Sequence, residues 1–538
     1  MRIAIQGCSH GELDSIYASI KKADEQDGAM TELVLLCGDF QAIRNPADLH
    51  CLAVPEKYKR MGDFHRYYSG QNTAPYLTIV IGGNHEASNY FWELFMGGWL
   101  APNIYYLGAA GCVSFKGLVI AGISGIYKSG DYHRGRFERM PYSPSDVRSI
   151  YHTRKFDVQR LALLPALSIN PDIFLSHDWP NTIEAHGDVG ALIRRKPYFK
   201  DEIHSRTLGS PPLMQLLRNI RPRYWFSAHL HVKFAATYTH TEDGKLGNKQ
   251  EGGQEQGNHS TEASLWAGAK SQLLARSAAA IELTHGPRET AAETTSEEPP
   301  TTRFLALGKC VPNQEFLQIL NIEPQSHTLP DVASSGGLEF VPGWLAILNA
   351  TQAQLSFEHS QRDIVVPPTD ALQAQLPKLA TAPVASEGSA GGANGNGKIK
   401  SISDVQQFVP TANTLLGSLQ QPSDGPPPWY TNPQTIALCN HLGIENNINA
   451  PPRFPPAPTP SMPRTLPPAL MPAGATATAS APIEQSAQGA PRAEGANAPT
   501  PADAADEIKR IKDAAAARKR KRAEMAAVAT DGAKGSAG

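Results

Sequence analysis

The sequence predicts an α/β fold in which two β-sheets pack as a sandwich flanked by helices. Two observations predict it. Short β-like runs alternate with helical stretches early in the chain and cluster with turns later, a pattern expected of a two-sheet sandwich. Five of the runs end in a residue that can ligate a metal, and ligands of α/β sheets gather at the carboxyl ends of strands.

The elements follow in order. Arg2–Ile5 leads into Gly7-Cys8-Ser9-His10, and Leu13–Lys22 reads as helix. Leu33–Cys37 ends in Gly38-Asp39. Tyr76–Ile81 ends in Gly83-Asn84-His85-Glu86, with Asn89–Met96 helical behind it. Ile104–Tyr106, Cys112–Phe115 and Leu118–Ile123 are further strands. Ile173–Leu175 ends in Ser176-His177-Asp178, and Tyr224–Phe226 in Ala228-His229-Leu230-His231. Lys233–Tyr238 and Arg303–Leu307 read as strands that pair with each other across the text between them. Phe316–Leu320 and Trp344–Leu348 add short packed elements.

A chain of 538 residues suits one large domain plus extra material. Residues 1–238 form the expected catalytic domain. Residues 239–302, rich in Gly, Gln, Glu, Thr and Ser, hold too little apolar surface to offset ordering entropy and read as a disordered insertion. Residues 303–368 read as a small extension packing on the core. Residues 369–538 read as a disordered Pro/Ala-rich tail, with a basic helix at about 503–525. That helix carries Arg518-Lys519-Arg520-Lys521-Arg522, a block that signals nuclear targeting or nucleic-acid contact. A net charge of −2 says nothing about partners. Six cysteines without a C-x-x-C pair fit a reducing compartment rather than a disulfide scaffold. The chain enters a strand at once, so no signal peptide is expected. No apolar run approaches the roughly 18–20 residues that span a bilayer.

Imidazole, carboxylate and amide oxygen suit Zn, Fe or Mn, and a thiolate pulls towards Zn and Fe. A two-metal hydrolase needs a bridging carboxylate with ligands on both sides. Asp39, at a strand end with two oxygens, is the natural bridge. His10 and His231, with Cys8, would serve one metal; Asn84, His177 and His229 would serve the other. The spacing of His229 and His231 puts both side chains on one side of an extended segment. His85 completes neither set and is suited to protonate a leaving alkoxide as general acid. Two divalent ions, Fe2+, Zn2+ or Mn2+, are the expected cofactors.

From Gly125 to Arg160 eight basic side chains stand against four acidic ones, with aromatic residues interleaved. Cations meet phosphates and rings stack on splayed bases, as single-stranded RNA requires. Tyr127, Lys128, Tyr132, Arg134, Arg136, Tyr142, Arg148, Arg154 and Lys155 are the expected contacts.

The order G-x-x-H, G-D, G-N-H-E, H, H-x-H resembles the calcineurin-like metallophosphoesterase superfamily, with Cys8 in place of the usual Asp and Ala228 in place of the usual Gly. Gly7-Cys8-Ser9-His10-Gly11, Gly82–Asn89, Ser124-Gly125-Ile126-Tyr127, Ser176–Pro180 and Ser227–His231 narrow the resemblance to RNA lariat debranching enzymes. Val54–Tyr58 and the aromatic text from Phe64 to Gly70 agree. The resemblance covers Met1–Tyr238 and resumes around Arg303–Leu348. It implies an αββα metallophosphoesterase sandwich and hydrolysis of the 2′,5′-phosphodiester at the branch point of an intron lariat, giving linear RNA for intron turnover. His85 would protonate the departing 2′-oxygen. It also implies that 125–160 is a lariat-recognition loop, that Trp179 contacts RNA, and a nuclear location among splicing-complex proteins. Two rivals remain: a general phosphodiesterase or phosphatase of the same fold, disfavoured by the basic aromatic segment, and a metal-free adaptor, disfavoured by the complete ligand set.

Overall fold

The computed structural model describes residues 1–240, 299–324, 337–381, 401–414 and 425–448. Among them thirteen strands build two mixed sheets. In chain order these are β1 (Arg2–Gln6), β2 (Leu33–Leu36), β3 (Thr78–Val80), β4 (Gly98–Ala101), β5 (Ile104–Tyr106), β6 (Ala110–Phe115), β7 (Leu118–Ile123), β8 (Ile173–Ser176), β9 (Tyr224–Ser227), β10 (Phe234–Thr239), β11 (Thr301–Ala306), β12 (Leu317–Asn321) and β13 (Leu338–Phe340). One sheet runs β12-β1-β2-β3-β5-β4, the other β10-β11-β9-β8-β7-β6-β13. Within the first, β1, β2, β3 and β5 are parallel; within the second, β7, β8, β9 and β11 are. The ligand-bearing loops therefore leave each sheet at the carboxyl ends of neighbouring parallel strands.

Side chains alternate across a strand, and both faces here are covered, so the strands read as continuous apolar runs. Ile3, Ile5, Leu33, Leu35 and Ile79 pack between the sheets against Ile120, Ile173, Leu175 and Phe226. Ala4, Val34, Leu36 and Val80 face outward, under a helix spanning Leu13–Asp27. That helix buries Leu13, Ile16, Tyr17 and Ile20, the i, i+3, i+4, i+7 stripe of an amphipathic helix, and stops at Gly28 in the left-handed region. Val119, Ala121, Phe174 and Trp225 face outward from the second sheet, in one cluster with residues of the helices Lys155–Leu161, Pro211–Ile220 and Pro342–Thr351. The layers are thus α, β, β, α.

Strands β10 and β11 pair antiparallel, from Phe234 opposite Ala306 to Thr239 opposite Thr301, as the sequence suggested. Trp344–Leu348 forms part of a helix. Strands β4 and β13 were not foreseen. Tail boundaries set at 369 need correcting. The described residues beyond it pack into the domain: Ile402 is buried in the inter-sheet cluster, and Leu438, Cys439 and Leu442 in the outer one. Gln434 holds β4 at its edge, accepting from Trp99 N–H at 2.7 Å and donating to its carbonyl at 2.9 Å. The expected insertion lies mostly outside the described residues, as does the basic helix at 503–525. All described residues fall within one unit, Met1–Pro458. No helix among them is long and apolar enough to cross a membrane.

Candidate metal centre

Five loops meet at the carboxyl ends of β1, β2, β3, β8 and β9. The backbone stitches them together: His10 N–H donates to the Asp39 carbonyl at 2.6 Å, and Ala228 N–H to the His177 carbonyl at 3.1 Å. Glycine is required at two points. A Cβ at Gly38, whose φ is +102°, would sit 2.4 Å from His177 Nδ1, and one at Gly83 would sit 2.3 Å from Asp39 Oδ1. His10, Asp39, His229 and His231 all adopt left-handed backbone with φ between 49° and 63°. Such strain in non-glycine residues costs about 1–2 kcal/mol each and concentrates at functional sites.

The seven expected ligands come together here in two groups. One ligand atom from each of Cys8, His10, Asp39 and His231 lies within 4.8 Å of the others. His10 Nε2 lies 3.3 Å from His231 Nε2 and 3.4 Å from Asp39 Oδ2. On the other side, His177 Nε2 lies 3.3 Å from Asp39 Oδ1 and 3.3 Å from Asn84 Oδ1. The His229 ring is 5.0 Å from that of His177. Asp39 thus turns one oxygen to each group. His177 Nδ1 lies 2.7 Å from the Cys37 carbonyl, which can only accept. Nδ1 therefore carries a proton and Nε2 is the atom turned to the centre. His229 and His231 reach the centre through left-handed turns, not along the extended segment the H-x-H spacing suggested. Two tight turns bring the rings in while Leu230 packs into the outer core.

Burial pushes His10 down to about 3 and His231 to about 4, so both are neutral donors at neutral pH. Burial lowers His229 too. For His177 burial also acts downward, but Asp39 outweighs it and the ring is held above its ordinary value. For Asp39 burial acts upward, and His177, His85 and His10 overcome it to hold the carboxyl well down. Burial, then Asp39, pushes the Cys8 thiol well up, and Cys8 Sγ accepts from His229 N–H at 3.1 Å. Facing imidazole nitrogens, a two-sided carboxylate, an amide oxygen and a sulfur form a donor set that fits divalent cations.

His85 stands beside this set. Its N–H donates to Asp39 Oδ1 at 2.9 Å, its ring is 5.5 Å from that of His10, and its buried Nδ1 has no hydrogen-bond partner. Glu86 is a residue whose part was missed, although it closes the G-N-H-E motif. Its buried carboxylate accepts from Phe40 N–H at 2.7 Å, Gln41 N–H at 2.7 Å and Gly83 N–H at 2.9 Å. It ties the Asp39 loop to the Asn84 loop; burial and Asp39 push it up to about 8.

The expected RNA contacts divide. Lys128, Arg134 and Arg148 are exposed, with Tyr127 and Tyr142 half-buried near them in sequence. Arg136, Arg154, Tyr132 and Trp179 require correction, because they are buried. Arg136 donates to Asp157 at 2.6 Å and to the Ile150 carbonyl at 2.8 Å. Arg154 pairs with Glu138 and donates to the Asp131 carbonyl at 3.0 Å. Trp179 donates to the Ala228 carbonyl at 2.9 Å and stacks on Phe234. Lys155 pairs with Asp363 at 2.8 Å. Arg136 and Arg154 brace the loop from within instead of facing a ligand.

Comparison with known proteins agrees with this geometry. The calcineurin-like phosphoesterase family model matches residues 1–233, and that of the lariat debranching enzyme C-terminal domain matches 299–447. The lariat debranching enzyme of Schizosaccharomyces pombe is 38% identical over 481 residues, 84% of this chain and 98% of that protein. That of Gallus gallus is 40% identical over 451 residues, 82% of this chain and 70% of its own length. That of Danio rerio is 44% identical over 351 residues, 65% of this chain; the chain spans about half of that relative, 51%. With a phosphoesterase sandwich, a debranching-type C-terminal segment packed on it and near-complete coverage of the fission-yeast protein, the chain belongs to the lariat debranching enzyme family.

Proposed function

We propose that this chain hydrolyses the 2′,5′-phosphodiester at the branch point of RNA lariats, with two divalent cations held at the centre. One observation carries the reading: the two oxygens of Asp39 face separate groups, His10 with Cys8 and His231 on one side, His177 with Asn84 and His229 on the other. Bound there, the cations would polarise the phosphoryl oxygens and make water a nucleophile at neutral pH. Cys8, where a carboxylate is usual, favours Zn or Fe over Mn. Asp39, anchored by His85 N–H, keeps the two ligand groups in register. His85, outside both groups with Nδ1 unengaged, delivers the proton to the departing 2′-oxygen. Lys128, Arg134 and Arg148 offer exposed cations to the RNA backbone. Arg518–Arg522 supports a nuclear address and access to splicing-complex proteins; neutralising the block and following a tagged protein tests it.

The deciding experiment incubates the purified, metal-loaded protein with branched and linear RNA of matched sequence. Cleavage at the branch alone, releasing linear RNA with a 5′-phosphate, is expected. Equal cleavage of both would make the protein a general phosphodiesterase. No cleavage of either, with metal bound, would refute an enzymatic role.

A further inference from the structure

Resting on the debranching reading, we propose that Lys309 is a phosphate-binding residue of the centre, its ammonium meeting the anionic oxygens of the RNA phosphate seated on the Cys8, His10 and His231 side. Lys309 comes from the C-terminal segment, seventy residues beyond β10 in sequence. The backbone brings it to the first ligand loop. Cys8 and Lys309 form a parallel β-bridge, with Cys8 N–H donating to the Gly308 carbonyl at 3.1 Å and Cys310 N–H to the Cys8 carbonyl at 3.1 Å. Gly7 N–H adds a bond to the Phe316 carbonyl at 3.0 Å. The approach is so close that a Cβ at Gly7 would lie 2.2 Å from the Gly308 oxygen, which explains glycine there.

Residues paired across a ladder send their side chains to the same face. Cys8 sends its sulfur into the ligand cluster, so Lys309 leaves the bridge on the side of the centre. A fixed cation beside a cation-binding set opposes metal loading unless an anion joins them.

Nearby cations on this edge are matched: Lys233 with Glu315 at 3.2 Å, Arg195 with Glu315 at 3.3 Å, and Arg60 with Glu12. Lys309 forms no ion pair among the described residues. It is half-buried, and a lysine so placed can pack its stem while its charged head stays in solvent. Lysine binds phosphate as a compact point charge and needs no planar geometry to do so.

The test compares Lys309→Met, which keeps the apolar stem, with Lys309→Arg, which keeps the charge, in the full-length metal-loaded protein. Bound metal is measured first. Affinity for inorganic phosphate is then titrated calorimetrically at fixed ionic strength, and kcat and KM are measured on branched RNA. Lys309→Met is expected to retain metal and melting temperature while binding phosphate about ten- to hundredfold more weakly, with a matching loss of kcat/KM; Lys309→Arg restores most of both. Unchanged phosphate affinity in metal-loaded Lys309→Met would overturn the proposal. So would metal loss in both variants, which would show that residue 309 acts only through the Cys8 segment. Phosphate binding is read without RNA cleavage, so a wild-type protein that binds phosphate through Lys309 yet leaves branched RNA intact refutes the debranching reading alone.

Discussion

Gly38→Ala tests whether the centre depends on the exact path of the chain out of β2. Gly38 has φ +102°, where an L side chain is strained by about 1–2 kcal/mol. The new Cβ would lie 2.4 Å from His177 Nδ1 and 2.9 Å from its Cγ, while carbon contacts are comfortable at about 3.5–4.0 Å. His177 is fully buried, so relief must come from moving the ring. Movement of about 1 Å breaks the 2.7 Å bond to the Cys37 carbonyl, and leaving that buried pair unmade costs about 1–3 kcal/mol more. The total loss of stability is then about 2–5 kcal/mol. Nε2 also leaves its place beside Asp39 and Asn84, and disturbance of such a supporting bond typically lowers metal affinity about 10–100-fold. Gly130→Ala is the control: nothing lies within 4 Å of its added Cβ, and the change should stay within about 0.5 kcal/mol. Thermal unfolding with and without chelator, and competition against a chromophoric chelator, read both effects. Equal melting and equal metal affinity in the two variants would refute the reasoning.

His85→Ala should keep its bound metal and lose about 10²–10⁴-fold in kcat on branched RNA; metal loss, measured by elemental analysis, would make His85 a structural or ligating group instead. His240, buried and hydrogen-bonded to Thr302 at 2.8 Å, is lowered to about 4 by burial and then Arg221. The unfolded chain takes up a proton below about 6.5 that the folded one refuses until about 4. This contribution is whole above about 6.5 and fades as pH falls towards 4, so His240→Gln should flatten the melting-temperature profile across that window; parallel profiles would refute it. Ending the chain after Pro458 should leave the melting temperature and debranching rate near wild type, whereas ending it at Asp370 should lower both, because the second cut removes Thr411, Asn432, Gln434 and the buried Leu438. Equal melting of the two truncations would refute the corrected boundary.

The strand ends and the candidate ligand residues gathered at them were legible because both signals are local. An apolar run of four to six residues marks a buried strand, and the residue after it carries the chemistry. Burial of charge was not legible. The acids between 125 and 160 were read as diluting a basic surface, yet Asp157 and Glu138 are the partners that allow Arg136 and Arg154 to be buried. The domain edge was misread for a related reason. After 369 the apolar residues are scattered among Pro, Ala and Gly, and much of the anchoring is polar. Gln434 mimics a strand partner for Trp99, and Thr411 and Asn432 both donate to Glu93, none of which hydropathy detects. Strand β4 begins at glycine and follows a helix without a polar break, so its text does not announce a strand.

The same polar anchors bear on why the C-terminal segment accompanies the phosphoesterase sandwich. Four strained ligand backbones cannot hold themselves; together they cost several kcal/mol, at about 1–2 kcal/mol each, and surrounding structure must over-determine them. Glu86 fixes the loop just after Asp39 through Phe40 and Gln41. Three residues further on, Arg44 is buried between Asp48 and Glu93 and lies over the Tyr90 ring. Glu93 satisfies its second oxygen with Thr411 and Asn432, both from the C-terminal segment. On the opposite side, residues 308–310 are zipped to Cys8, and the Phe316 carbonyl accepts from Gly7 N–H. The segment therefore grips the Asp39 loop through a buried ion network and the Cys8–His10 loop through backbone pairing. Its packing is part of what keeps Cys8, His10 and Asp39 converged.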